Sequence, residues 1–341
     1  MNGENMVFKR EYINHTFIYN NLLDNKKPQI TIITAYFNNK NLIRTIESVL
    51  KQNYSNIEYI IADDCSNNFE KTLKEIEQLI ITHNTNHFAS IRMQIQNKNV
   101  GTVKNINDAI KQATGEIIYF LAADDIFYSE NTISNWTDFF RKTNSFVVTS
   151  RYCICKENEN NMQCIRPTKR QIRNIKYLQP CELYSKIAYQ NSILGCCTAY
   201  RKDCFELYGY FDETYRLLED HPMVLNLLKQ GVKIAFWDAI TIFYMDNGIS
   251  AVKSENFLFE ADVELLIKNE ADYKGDDAEQ KLRLYRINKK KIKEFYAFWD
   301  EKKYIKIFLK YPELTIKEVL KPFRAMLVKL YLRMLKMLQR K

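Results

Sequence analysis

No window of this 341-residue chain is apolar enough to cross a bilayer. Met1 to Arg10 carries no apolar stretch after its basic residues, which is not the pattern of a secretory leader. Eight cysteines (Cys65, Cys153, Cys155, Cys164, Cys181, Cys196, Cys197 and Cys204) are scattered without the spacing of a disulfide framework or a zinc ribbon. They are expected as reduced thiols of a cytoplasmic protein. There is also no internal repeat and no long low-complexity tract, which excludes a solenoid and argues against disorder. What remains is ordinary globular chemistry: 46% apolar and 27% charged residues, with 22 Tyr and 20 Phe. The length suits one large α/β domain with an appendage, or two domains.

Strand and helix signals alternate. Residues 1–27 are polar and Asn-rich and read as an extension before Pro28. Strands are expected over Gln29–Ala35, Ile57–Ala62, Ser90–Gln96 and the apolar run Ile117–Leu121, with amphipathic helices over Lys40–Gln52, Glu70–Thr82 and Gly101–Ala113 between them. This order predicts βαβ units and a largely parallel sheet over residues 28–250. Val147 to Ile165 reads as strand interrupted by a polar loop at 156–161, Leu217–Lys229 as a helix, and Val232–Tyr244 as further short strands. The polar stretch 269–277 reads as the linker to a C-terminal helical segment, and residues 251–341 as a C-terminal helical region with a basic amphipathic tail.

Three acidic pairs stand where strands stop or a helix starts: Asp63-Asp64, Asp124-Asp125 and Glu219-Asp220. Ligands of open α/β sheets bind beyond the carboxyl ends of the strands, and carboxylates gathered there repel one another unless a cation or a hydrogen-bonding ligand compensates. Each pair has a plainer reading, as Asx-turn chemistry or as acids favoured in a first helical turn.

The motifs around these pairs resemble those of a family 2 glycosyltransferase of the GT-A fold. Ile30–Asn38, Ile60–Ser66, Asn97–Asn105, Thr114–Asp125, Gly209–Glu213 and Leu218–Asp220 follow one another in the family's order and span about two-thirds of the chain. The resemblance implies a Rossmann-like mixed, mostly parallel sheet with flanking helices. It implies an inverting transfer from a nucleotide-sugar donor, a UDP-sugar, to a hydroxyl of a glycan or lipid-linked acceptor in surface polysaccharide assembly. By the same resemblance Thr34, Tyr36, Asp63, Asp64 and Asp124 bind donor, Asp125 ligates Mn²⁺ or Mg²⁺, Asp220 is the catalytic base, and Glu219 and His221 meet acceptor. Lys104 either contacts the nucleotide or is a solvated helix lysine.

Two departures from the family pattern stand out. Ala122 occupies a position commonly held by Asp, and Tyr244–Ser250 lacks the family's Arg and His. An alternative reading is a non-catalytic GT-A-like module that binds glycan or scaffolds a membrane assembly. A nucleotidyltransferase would need a Gly-rich basic loop after the first strand, and none is present.

The net charge of +9 is concentrated from Lys281 onward. In the tail, Lys329, Arg333, Lys336 and Arg340 recur at helical spacing opposite apolar residues, and no acid lies beyond Pro322. Such a helix suits the surface of an anionic membrane, with peripheral attachment at the inner face of the plasma membrane, or it covers the catalytic domain or a dimer partner. No nucleic-acid motif is present, and nucleic acid is not expected as a partner.

Overall fold

A computed structural model describes residues 9–13, 16–20 and 30–320, apart from 68, 84, 86, 157, 247 and 249–255, together with residue 326. The basic face expected from Lys329 to Arg340 lies outside the described residues. The chain divides into two compact units, Met1–Tyr152 with Pro167–Tyr244, and Cys153–Arg166 with Met245–Lys341.

The elements begin with β1 (Lys9–Ile13), β2 (Thr16–Asn20), β3 (Ile30–Tyr36), α1 (Leu42–Leu50), β4 (Ile57–Asp63), α2 (Phe69–Thr82), β5 (Phe88–Ile95), α3 (Thr102–Gln112), β6 (Ile117–Ala122) and β7 (Ile126–Phe127). They continue with α4 (Thr132–Thr143), β8 (Val147–Cys155), β9 (Met162–Arg166), α5 (Lys169–Tyr177), α6 (Pro180–Ile187), β10 (Thr198–Arg201), α7 (Lys202–Tyr208), α8 (Asp220–Lys229) and β11 (Ile234–Met245). Four helices follow: α9 (Phe257–Lys274), α10 (Ala278–Asp300), α11 (Tyr304–Lys310) and α12 (Pro312–Val319).

The strand order is β1-β2-β5-β4-β3-β6-β10-β8-β11-β7, with β9 pairing β8. β5, β4, β3 and β6 run parallel, and β2 and β10 join them antiparallel on either side. The parallel strands are apolar on both faces because helices cover both: Ile30, Ile32 and Ile33 of β3, Tyr59, Ile60 and Ile61 of β4, and Ile118 and Tyr119 of β6 are buried. One acid interrupts β4. Buried Glu58 accepts from Thr31 Oγ1 (2.5 Å) and Thr114 N–H (2.7 Å) and pairs with Arg92, so its charge is fully engaged.

Register decides what reaches the sheet edge. Tyr36 of β3 is opposite Asp63 of β4, and Ala35 of β3 is opposite both Ala62 and Ala122. The ends of β3, β4 and β6 therefore finish level, and the turns after them share one edge.

Several boundaries differ from the sequence reading. Two strands, β1 and β2, fall within the stretch read as a polar extension, and β2 lengthens the sheet along β5. The expected linker at 269–277 is instead the end of α9, because Leu266, Ile267, Glu270 and Ala271 give that helix a buried face. Only Gly275 to Asp277 breaks it, with Gly275 at φ +68°, a left-handed C-terminal cap. The short strands expected over Val232–Tyr244 are one twelve-residue strand, β11.

Candidate active site

Asp63 and Asp64 end β4 and point their charges at backbone. Both oxygens of Asp63 accept from Ser66 N–H at 3.2 Å, an Asx turn that lets Cys65 take φ +64°. Asp64 reaches across to the next loop, accepting from Val100 N–H (2.6 Å) and Gly101 N–H (2.9 Å), while its own N–H donates to the Tyr36 carbonyl (2.9 Å). Burial raises the pKa of both carboxyls, and these hydrogen bonds oppose the rise. Asp64 thus ties the ends of β3 and β4 to the N-terminus of α3.

Gly101 makes that approach possible. It sits at φ +92°, and a Cβ there would stand 2.5 Å from Arg216 Cγ and 2.7 Å from the Arg216 carbonyl oxygen. Within α3, Asn105 donates to the Ala62 carbonyl (2.7 Å) and Asn107 both donates to and accepts from Phe211 backbone (2.8 and 3.1 Å). The Gly209–Glu213 motif is in this way a clamp on α3. Lys104 Nζ pairs with Asp108 at 3.1 Å, one helical turn on, and lies 3.9 Å from Glu213.

Thr34 is enclosed in the sheet and accepts from Tyr59 Oη at 3.0 Å. Tyr36 is likewise buried, packed in the main apolar core.

At the end of β6, Ala122 is exposed and Asp125 is wholly buried. The Asp125 N–H donates to the Ala122 carbonyl (3.0 Å), and the Asp125 carbonyl accepts from Thr45 Oγ1 of α1 (2.8 Å), so the turn is pinned from both sides. Burial raises the pKa of the Asp124 carboxyl.

Asp220 opens α8, with Glu219 as its cap residue, so the helix starts three residues later than the sequence pattern suggested. One Asp220 oxygen accepts from His221 N–H (2.6 Å); the other accepts from Gly195 N–H (2.9 Å) and Asn191 Nδ2 (3.3 Å). Burial raises its pKa above the ordinary aspartate value against the pull of these donors. Gly195 begins a 3₁₀ turn, Gly195–Cys197, and a Cβ on it would meet Asp220 Cβ and Glu219 Oε1, both at 3.2 Å. His221 is buried, and its Nε2 donates to the Ile187 carbonyl at the end of α6 (2.7 Å). Its ring is committed to the α6–α8 contact.

Asp125 and Asp220 both bear electrostatically on Cys196. That thiol is raised well above its ordinary pKa, first by its hydrogen bond with Cys197 and by burial, then by the negative charges of Asp125 and Asp220. Residues 95 positions apart thus act on one sulfur. The family resemblance points to the loop that holds Gly195 and Cys196, but no local sequence signal pairs Asn191 or the Gly195 N–H with Asp220.

Among the described residues no group of three or more His, Cys, Asp and Glu side chains could hold a metal ion by itself. Asp124 and Asp125 supply hard oxygen donors, a set that fits an ion taking one or two carboxylates and completing its shell from a diphosphate and water.

A central parallel sheet with antiparallel flanks and acidic strand ends around one edge defines a GT-A glycosyltransferase fold. The chain belongs to glycosyl transferase family 2, whose profile matches residues 31–209. It is similar to an uncharacterized glycosyltransferase of Rickettsia prowazekii, 23% identical over 199 residues, which are 58% of this chain and 57% of that protein. It is also similar to the Escherichia coli UDP-Glc:alpha-D-GlcNAc-diphosphoundecaprenol beta-1,3-glucosyltransferase WfaP, 28% identical over 238 residues, covering 69% of this chain and 84% of that one. The crystal structure of Staphylococcus aureus TarS 1–349 in complex with UDP-GlcNAc shares the fold, with a TM-score of 0.52 and 20% identity over 71% of this chain and 65% of that chain. Among the described residues no helix is long and apolar enough to cross a membrane.

Proposed function

We propose that the chain is an inverting glycosyltransferase that moves a sugar from a UDP-sugar to a hydroxyl of a glycan or lipid-linked acceptor in surface polysaccharide assembly, working peripherally at the cytoplasmic face of the plasma membrane. The Asp220 carboxylate at the start of α8, held by Gly195 N–H, Asn191 Nδ2 and His221 N–H, carries this reading. The similarity to WfaP, with its UDP-Glc donor and diphosphoundecaprenol acceptor, supports the donor and acceptor classes.

Inversion requires the acceptor hydroxyl to attack the anomeric carbon opposite the leaving nucleoside diphosphate, while a carboxylate takes its proton. Asp220 is that base. Three donors orient its two oxygens, and its raised pKa makes the ion a stronger base than an exposed aspartate. Glu219, beside it, faces the acceptor. Asp63 and Asp64 shape the donor side by fixing the loops, with Thr34 and Tyr36 behind them as buried supports.

Asp125, with Asp124 beside it, would hold Mn²⁺ or Mg²⁺, which when bound neutralises charge gathering on the leaving diphosphate. Asp220→Asn should lower turnover by about 10²–10⁴-fold and leave UDP binding in calorimetry nearly intact. Turnover at the parent rate would reject the base. Asp125→Ala should abolish the Mn²⁺-supported part of UDP binding in the same measurement.

A further inference from the structure

The positive excess of the chain is confined to its last stretch. Residues 302–341 hold twelve Lys and Arg against two Glu, a net +10, whereas the whole chain carries +9. Everything before residue 302 is therefore close to neutral.

In the described part of this stretch, apolar side chains face outward. Ile307 of α11 is fully buried against Phe295 and Tyr311, which fixes the inner face of the helix. On the outer face Ile305 is 81% exposed and Leu309 77%, with Phe308 half-exposed between them. The spacing i, i+3, i+4 makes one patch of the three. The same spacing recurs in Ile316 and Val319 of α12 with Leu320 just beyond it, all exposed. Exposed Lys302 and Lys306 flank the first triad, with Lys303 and Lys310 beside them paired to Glu301 and Glu294. A water-facing helix surface is normally polar, and a contiguous exposed apolar patch marks an interaction surface.

We propose that α11 and α12 form a docking ridge for an anionic lipid bilayer, the two apolar triads entering the interface and the lysines meeting the headgroups. Charge selects this occupant. Residues 321–341 hold seven Lys and Arg and no acid, so as a cover they would set like charge against the lysine rim. Like charge on the ridge and on the segment that follows suits one anionic plane. A nucleic acid would engage the lysines and leave the triads in water. The ridge adds a described membrane-facing element to the tail, and it rests on the proposed function only for its purpose, delivery of the enzyme to lipid-linked acceptor.

Flotation of the full chain tests the ridge, using phosphatidylcholine vesicles with and without about one-third phosphatidylglycerol. The full chain should float with the anionic vesicles, less so as salt rises. Ile305→Glu with Leu309→Glu should cut that partition at least ~10-fold without changing hydrolysis of a nucleotide-sugar, and Ile305→Ser with Leu309→Ser should act in the same direction. The proposal is overturned if the parent does not float, or if both double variants float as well as the parent. It also fails if those variants only dissociate a dimer that never binds vesicles. A parent that glycosylates a soluble acceptor but stays off vesicles overturns the ridge and the membrane placement while the transfer reaction stands. One that floats yet turns over no nucleotide-sugar overturns the proposed function alone.

Discussion

Asn191 Nδ2 and the Gly195 N–H donate to the same oxygen of Asp220, at 3.3 and 2.9 Å. Both donors favour the carboxylate over the acid, in a setting where burial favours the acid.

Asn191→Ala removes one of them. The acid limb of the kcat profile should move to higher pH, because the base then needs a higher pH to ionise, and kcat at neutral pH should fall by about tenfold. KM for donor should stay near the parent value. A pH–rate series on parent and variant reads both quantities, and a profile that keeps its acid limb would assign Asn191 to packing alone.

The Asp220 carboxyl has a raised pKa in the folded state. Its stabilising contribution is complete below the unfolded aspartate value of about 3.9 and is lost as pH rises through the higher folded value. At neutral pH the buried ion weighs against the fold. Asp220→Asn should therefore raise stability by on the order of 1 kcal/mol at pH 7, with the gain shrinking toward pH 4. Urea melts at the two pH values measure it.

Gly101→Ala should destabilise the fold by about 2–4 kcal/mol. The position combines φ +92° with an Arg216 carbonyl oxygen that a Cβ would meet at 2.7 Å. Because Asp64 binds the Gly101 N–H, donor affinity should weaken as well. Chemical denaturation and calorimetry with UDP separate the two effects.

Asp64→Ala strands the Val100 and Gly101 N–H groups. A loss of roughly 1.5–3 kcal/mol in stability is expected for hydrogen bonds to a charged acceptor. Asp64→Asn, which keeps one acceptor oxygen, should recover part of it.

The acidic strand ends were legible because they are local: an apolar run that stops at carboxylates announces an edge. The parallel core was equally legible in Ile30–Tyr36, Ile57–Asp63 and Ile117–Ala122, whose apolar character is continuous. The partners of Asp220 were not, since Asn191 and Gly195 come from a segment 29 and 25 residues upstream and carry no charge or periodicity. The sequence left Lys104 between nucleotide contact and solvated surface; its side chain lies beside Asp108 and Glu213. The end of α9 was misread because a buried Glu270 looks, in composition, like linker polarity.

The Cys196 thiol keeps its proton first through its hydrogen bond with Cys197 and through burial, and the charges of Asp125 and Asp220 add to both. Electrophilic reagents consume thiolates, not thiols. Alkylation with iodoacetamide should accordingly mark exposed Cys181 first and spare Cys196. A covalent inhibitor aimed at Cys196 would meet a buried, protonated thiol held by its neighbour Cys197.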